Sequence, residues 1–368
     1  MEERYIACLV LQSLGDTIGF KNGEWEFKNF SKNVPLDYTN EILYEFIDLG
    51  GINHLDVKKW NASDDTIMHM RTAEALLENF NSLNTFANIL KEKYIEAFKQ
   101  LKEEKNRYPG VALMKYLKEL SDGTEWDAIP YDFKAGGSGA SMRTSCIGLA
   151  YHGINNREKL IQISIEASRI THNSAVGYLG GMTSALFTAF AIEDLEINLW
   201  PFELLKIFEN NLVENYIKKT GRGVSEYDKD SHIFINKWKT YIDDKFDENK
   251  KPIKRKTTRN LVFRGKYYYD NYSFKQEGVF FPGSGGDDSV IIAFDCLLDA
   301  GNSWEKLVIY SMMHIGDTDT TGSIAASWWG ALKGFQDVPP INYENLEYKN
   351  KLIKLGKELY EKYYKKQQ

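Results

Sequence analysis

The chain has 368 residues and a formal net charge of −6, with 43% hydrophobic and 14% aromatic residues. A chain of this length buries a large core, in one big domain or two ordinary ones. Its mild acidity argues against a nucleic-acid groove or a general affinity for anionic membranes, while leaving room for a local basic site for a small anion.

The opening residues show no basic stretch followed by an apolar one, and no uncharged run reads as long enough to span a bilayer, so the expected location is the cytoplasm, with the nucleus left open. Cys8, Cys146 and Cys296 each sit in apolar sequence without metal-type spacing, which points to buried reduced thiols.

In chain order, helical periodicity dominates. "RYIACLVLQSLGDTIGF" carries Ile6, Leu9, Val10, Leu14 and Ile18 on one stripe, and "NEILYEFIDLGG" runs to a glycine stop at Gly50 and Gly51. Further helices are predicted over "TIMHMRTAEALLENF", "TFANILKEKYIEAFKQLKEE", "KLIQISIEASRI", "MTSALFTAFAIEDL", "DSVIIAFDCLLDAG", "WEKLVIYSMM", "GSIAASWWGALKGF" and the C-terminal "NLEYKNKLIKLGKELYEKYYKK". The charged run 243–260 is expected to be a solvated insertion, and 260–281, where aromatic and β-branched residues alternate loosely with polar ones, a short hairpin or extended segment. With no Pro/Ser linker and no internal repeat, the expected fold class is all-α: a single domain over 1–368 with at least ten helices.

Two acidic groups stand out. "WNASDDTIMHM" places Ser63, Asp64, Asp65 and Thr66 at a helix start, and "HIGDTDTTG" places Asp317, Asp319 and Thr320 among small residues. Ser is a good N-cap and acids suit a positive helix end, so two capped termini are one reading. Brought together, the same oxygens suit Mg²⁺, and two ions ~3.5–4 Å apart would make a binuclear hydrolytic site. Between them lies "KAGGSGASMRTSCIGL", whose Gly136, Gly137, Ser138, Gly139 and Ala140 lack side-chain bulk before a helix expected to start near Ser141. Free N–H groups there suit a phosphate, although neither a Walker loop nor a dinucleotide fingerprint is present.

"LGDTIGF", "NGEWEF", "WNASDDT", "GGSGASMR", "THNSAVGYLGG", "AFDCLLDAG" and "HIGDTDTTG" together resemble, in order and spacing, the ADP-ribosylhydrolase superfamily, which includes the dinitrogenase reductase-activating glycohydrolases. "NGEWEF" and "DDTIMHM" look most like its ADP-ribosylarginine hydrolases. The resemblance implies two Mg²⁺ ions in a cleft and hydrolysis of the N-glycosidic bond between ADP-ribose and a modified side chain. By position it implies metal ligation by Ser63, Asp64, Asp65, Asp317, Asp319 and Thr320, and a mobile glutamate at Glu26. It also implies a diphosphate loop at Gly137, Ser138 and Gly139, with His172 near the phosphates and Phe281 near the adenine; Met142, just after the loop, is a further candidate substrate contact that the helix beginning there could equally explain. Asp65 or Asp319 is the expected proton relay, with Glu26 at the leaving guanidine.

The expected partners are ADP-ribose and ADP-ribosylated proteins, with no nucleic acid and no membrane, and the expected state is a monomer. Asn173 and Ser174 stand where the family has a His-Pro step, and Asp287 stands where the arginine branch commonly has histidine. The alternatives are hydrolysis of ADP-ribosylserine or O-acetyl-ADP-ribose, against which "NGEWEF" argues, and a non-catalytic role, against which the five retained carboxylates argue.

Overall fold

A computed structural model describes residues 1–27, 36–253, 261–273 and 281–367. Seventeen α-helices occur among them: α1 Glu2–Phe20, α2 Leu36–Asp48, α3 Asp64–Leu77, α4 Leu83–Glu103, α5 Val111–Ser121, α6 Ser145–Ala150, α7 Arg157–Arg169, α8 Ala175–Ile192, α9 Trp200–Glu209, α10 Leu212–Thr220, α11 Val224–Lys245, α12 Leu261–Asn271, α13 Asp288–Ala300, α14 Trp304–Met312, α15 Thr318–Lys333, α16 Ile341–Glu344 and α17 Lys349–Leu359. The described residues contain no strand, only the isolated bridges Gly137 to Gly285 and Phe246 to Pro252. Helices α5, α9, α10 and α11 were not among those expected.

The two ends of the chain meet in the α1–α15 pair. A Cβ at Gly15 would lie 2.3 Å from the Gly322 carbonyl oxygen, and one at Gly19 would lie 2.2 Å from that of Thr318. Only glycine lets the two backbones approach this closely. The N-terminus of α15, and with it Asp317 and Asp319, therefore sits beside the C-terminal end of α1. Helix α3, which begins at Asp64, packs against both.

Helix α8 corrects the expectation that no uncharged run could span a bilayer, since Ala175–Ile192 is 18 residues long and apolar enough to do so. All 18 residues are buried inside the protein, as expected for a core helix that is apolar all round.

The predicted hairpin is also corrected. Leu261–Asn271 is helix α12, while 254–260 and 274–280 lie outside the described residues. Arg264 and Tyr268, four residues apart and so on one helical face, both bond Asp295, at 2.9 and 2.6 Å. Arg264 also reaches Asp299 at 2.7 Å. These tertiary bonds override the strand propensity of the aromatic residues. Of the charged run, the described residues 247–253 are mostly exposed, as a solvated insertion would be, whereas Lys245, paired with Asp295 and Asp299, and Phe246 are buried where the run leaves α11.

Candidate active site

Glu26 is aimed by its neighbours. The Trp25 indole donates to Glu45 at 2.8 Å, and the Phe27 backbone N–H donates to the Gly316 carbonyl at 3.1 Å. Anchored on both sides, Glu26 faces Asp319, Asp317 and Asp64. Asp64 and Asp65 occupy the first turn of α3 and Asp319 the first turn of α15, with Asp317 just before it.

All five acids line one cavity of about 570 Å³, together with Thr320, Gly137, Ser138, Gly139, Met142 and His172. Phe27, Tyr108 and Tyr116 add aromatic walls, and Lys115 and Lys134 add cations. The pair of capped helix ends does not account for this arrangement. Ser63 caps α3, accepting from the Asp65 N–H at 3.1 Å, whereas Asp317 makes no side-chain cap bond to α15. Its carboxylate accepts instead from the Ser138 hydroxyl at 3.2 Å, which joins the acid cluster to the glycine loop.

The electrostatics are strained. Burial, with Asp319 next in importance, pushes Glu26 up to about 12. The same two causes hold Asp64, Asp65 and Asp317 well above the usual carboxylate range. Arg143 lowers Asp64 somewhat, but its guanidinium is committed to the carbonyls of Gly139 and Ala167 at 2.8 and 3.0 Å. Lys115 is tied to Asp132 at 3.2 Å. Carboxylates packed this way ionise together only beside an added cation.

The donors are hard oxygens without a thiol, which fits Mg²⁺. Among the described residues no group of three or more His, Cys, Asp or Glu side chains is already arranged to hold a metal ion. Mg²⁺ does not need such a group, because it keeps several waters and takes one or two protein carboxylates.

The chain matches the ADP-ribosylglycohydrolase family over residues 1–368. It belongs to that family. L444 of Acanthamoeba polyphaga mimivirus, named as an ADP-ribosyl glycohydrolase, is 41% identical over 356 residues, covering 94% of this chain and 68% of that one. ADP-ribosylhydrolase ARH1 of Dictyostelium discoideum is 36% identical over 382 residues, covering 97% and 94%. ADP-ribosylhydrolase ARH3 of Bos taurus is 22% identical over 358 residues, covering 91% and 86%. A solved ADP-ribosylglycohydrolase-related protein complex shares the fold, with a TM-score of 0.57 at 16% identity over 98% of each chain.

Within this ADP-ribosylglycohydrolase fold, three site expectations need correction. Ser63 does not line the cavity, and its hydroxyl caps α3. Phe281 does not line it either: it packs edge-on against Phe27, ring centroids 4.9 Å apart, and Phe27 is the ring exposed to the cavity. The glycine loop does not lead into a helix at Ser141. It forms a 3₁₀ turn over Ser138–Arg143, and the Ser138 N–H is already bonded to the Ser284 carbonyl at 2.9 Å. Part of its glycine content serves packing, since a Cβ at Gly139 would lie 2.5 Å from the His172 ring. That ring is buried and accepts or donates at Nδ1 with the Thr171 hydroxyl, 2.8 Å away, and burial lowers its pKa to about 3.

Two of the three departures from the family pattern, Asn173 and Asp287, find local partners. Asn173 bonds the Ile129 carbonyl at 2.9 Å and accepts the Asp132 N–H on its own carbonyl, while Asp287 caps α13 and pairs with Lys237 at 2.5 Å.

The sequence reading missed Asp16 and Asp288. Asp16 is fully buried and accepts the N–H groups of Ser63 and Thr66 at 3.1 Å each, fixing the loop that carries Asp64 and Asp65. Asp288 accepts the N–H groups of Gly283 and Gly285 at 3.1 and 2.8 Å and shapes the turn that pairs with the glycine loop. The signal for Asp16 was a lone acid on the apolar stripe of α1. Lys134, immediately before the glycine loop, was also passed over.

Proposed function

We propose that the protein hydrolyses the N-glycosidic bond joining ADP-ribose to arginine side chains of modified proteins, with two Mg²⁺ ions held among Asp64, Asp65, Asp317, Asp319 and Thr320. The observation that carries the reading is the convergence of five carboxyl groups, from three separate segments of the chain, on one cavity whose wall is the glycine loop. The similarity to ARH1 at 36% identity, against 22% for ARH3, supports the arginine linkage over others.

When bound, the ions would orient the ribose hydroxyls and make a water nucleophilic. The rest falls to side chains. In the metal-free protein, burial and then Asp319 push the Glu26 carboxyl up to about 12, which favours its protonated form there. It is suited to donate to the leaving guanidine nitrogen as the C1″–N bond breaks. Asp65 or Asp319 accepts the proton of the attacking water. Ser138 links the diphosphate loop to Asp317, so that ligand and acids are aligned by one wall. Lys134, beside the glycine loop, supplies positive charge for the diphosphate. As part of the same proposal, the enzyme acts as a monomer in the cytoplasm.

A linkage-resolved assay tests the reading. Purified protein should release ADP-ribose from arginine-linked peptides faster than from serine-linked ones, and chelation should stop it. Faster cleavage of the serine linkage rejects the arginine assignment, and activity that survives exhaustive chelation rejects the metal.

A further inference from the structure

Ile315, between His314 and Gly316, has a φ of +68° and is buried. A β-branched residue holds this left-handed conformation only when its surroundings enforce it. The conformation matters because the chain turns here to bring Asp317 into the cavity.

The His314 ring bonds to both sides of this turn. Its Nδ1 lies 3.3 Å from the Gly316 N, and a backbone N–H can only donate, so Nδ1 accepts and the ring proton sits on Nε2. Nε2–H then donates to the Thr321 hydroxyl at 2.8 Å. Having accepted, that hydroxyl has its one proton to share between the carbonyls of Ser311 and Asp317, at 2.7 and 2.9 Å. One imidazole therefore spans the turn and uses both of its polar atoms.

The surrounding chain leaves it no freedom. Tyr268 of α12 stands edge-on to the ring at 5.7 Å, and the Gly265 backbone lies so close that a Cβ there would be 2.6 Å from the His314 carbonyl oxygen. The Asp317 N–H is fixed on the Pro282 carbonyl at 2.9 Å.

We propose that His314 is a positioning residue of the hydrolytic site: clamped between the Gly316 N–H and the Thr321 hydroxyl, it holds Ile315 left-handed and thereby sets the direction in which Asp317 enters the cavity. This rests on the proposed role of Asp317 in hydrolysis.

The test compares His314→Ala with His314→Asn, whose side-chain oxygen can still accept the Gly316 N–H. The measurements are kcat on an arginine-linked ADP-ribosyl peptide and the melting temperature. His314→Ala should lose about tenfold or more in kcat, as second-layer ligand supports typically do, and His314→Asn should recover most of it at a similar melting temperature. Equal kcat in the two variants, whether both high or both low, overturns the proposal.

Should the alanine variant not fold, Thr321→Val decides: it keeps the side-chain volume and should lower kcat severalfold, and a wild-type kcat overturns the proposal. Failure of the wild type on arginine-linked peptide would reject the proposed function instead. His314 would then be read from the ADP-ribose-induced melting shift, which should be lost in the alanine variant and kept in the asparagine one. Equal shifts in the two overturn it.

Discussion

Asp16 and Asp317 act on the two acidic loops in different ways, and their amide variants separate support from chemistry. Asp16 touches neither ligand nor cavity, yet its oxygens hold the N–H groups of Ser63 and Thr66. Asp16→Asn keeps one acceptor and turns an N–H₂ toward the Ser63 N–H. It should lower kcat by ~10–100-fold, the usual cost of losing a support behind a metal ligand. A kcat equal to wild type would remove Asp16 from the site's supports. Asp317→Asn deletes a carboxylate that burial and Asp319 already disfavour in its charged form. Metal-free, this variant should melt at the same temperature or higher, because a buried, unpaired acid is lost. Its turnover should nevertheless fall by ~10²-fold or more, and Mg²⁺ should no longer raise its melting temperature as in wild type. A large drop in metal-free melting temperature would make Asp317 a structural residue.

The α1–α15 contact carries the site at the level of elements. It joins residues more than 300 positions apart, and its closeness depends on Gly15 and Gly322. Gly15→Ala would put a Cβ 2.3 Å from the Gly322 carbonyl oxygen, so the helices must separate. Overpacking of this kind costs about 1–3 kcal/mol. The melting temperature should fall, and kcat should fall further than the stability loss explains, because Asp319 rides on α15. An unchanged kcat at lowered stability would show that the acids tolerate helix movement. Helix α12 teaches a related lesson. Its aromatic residues read as strand from local propensity, whereas Arg264 and Tyr268 become a helical pair only because Asp295 and Asp299 on α13 wait for them.

Across the whole molecule, the buried acids set a dependence on pH. Burial pushes Asp16 and Asp288 up to about 7. An unfolded carboxyl titrates near ~4, so the folded chain binds more protons in between. Their contribution is fully present below ~pH 4 and is lost as pH rises through ~7. The metal-free melting temperature should therefore decline between about pH 5 and pH 8. Metal binding displaces protons from the carboxyls, so Mg²⁺ should raise the melting temperature more at about pH 8 than at about pH 6. No Mg²⁺ shift at either pH would sink the metal proposal. The sequence by itself determined the helical class, the N-cap at Ser63, the glycine stop at Gly50 and Gly51, and the two acidic loops, because each of these is a matter of local spacing and side-chain chemistry. Only the tertiary structure decided that Phe27 rather than Phe281 faces the cavity, that the Ser138 N–H is spent on Ser284, and that Asp16 stands behind the acids. Each of those depends on which distant segment packs against it, and a carboxylate on an apolar stripe carries no mark of the backbone it will cap.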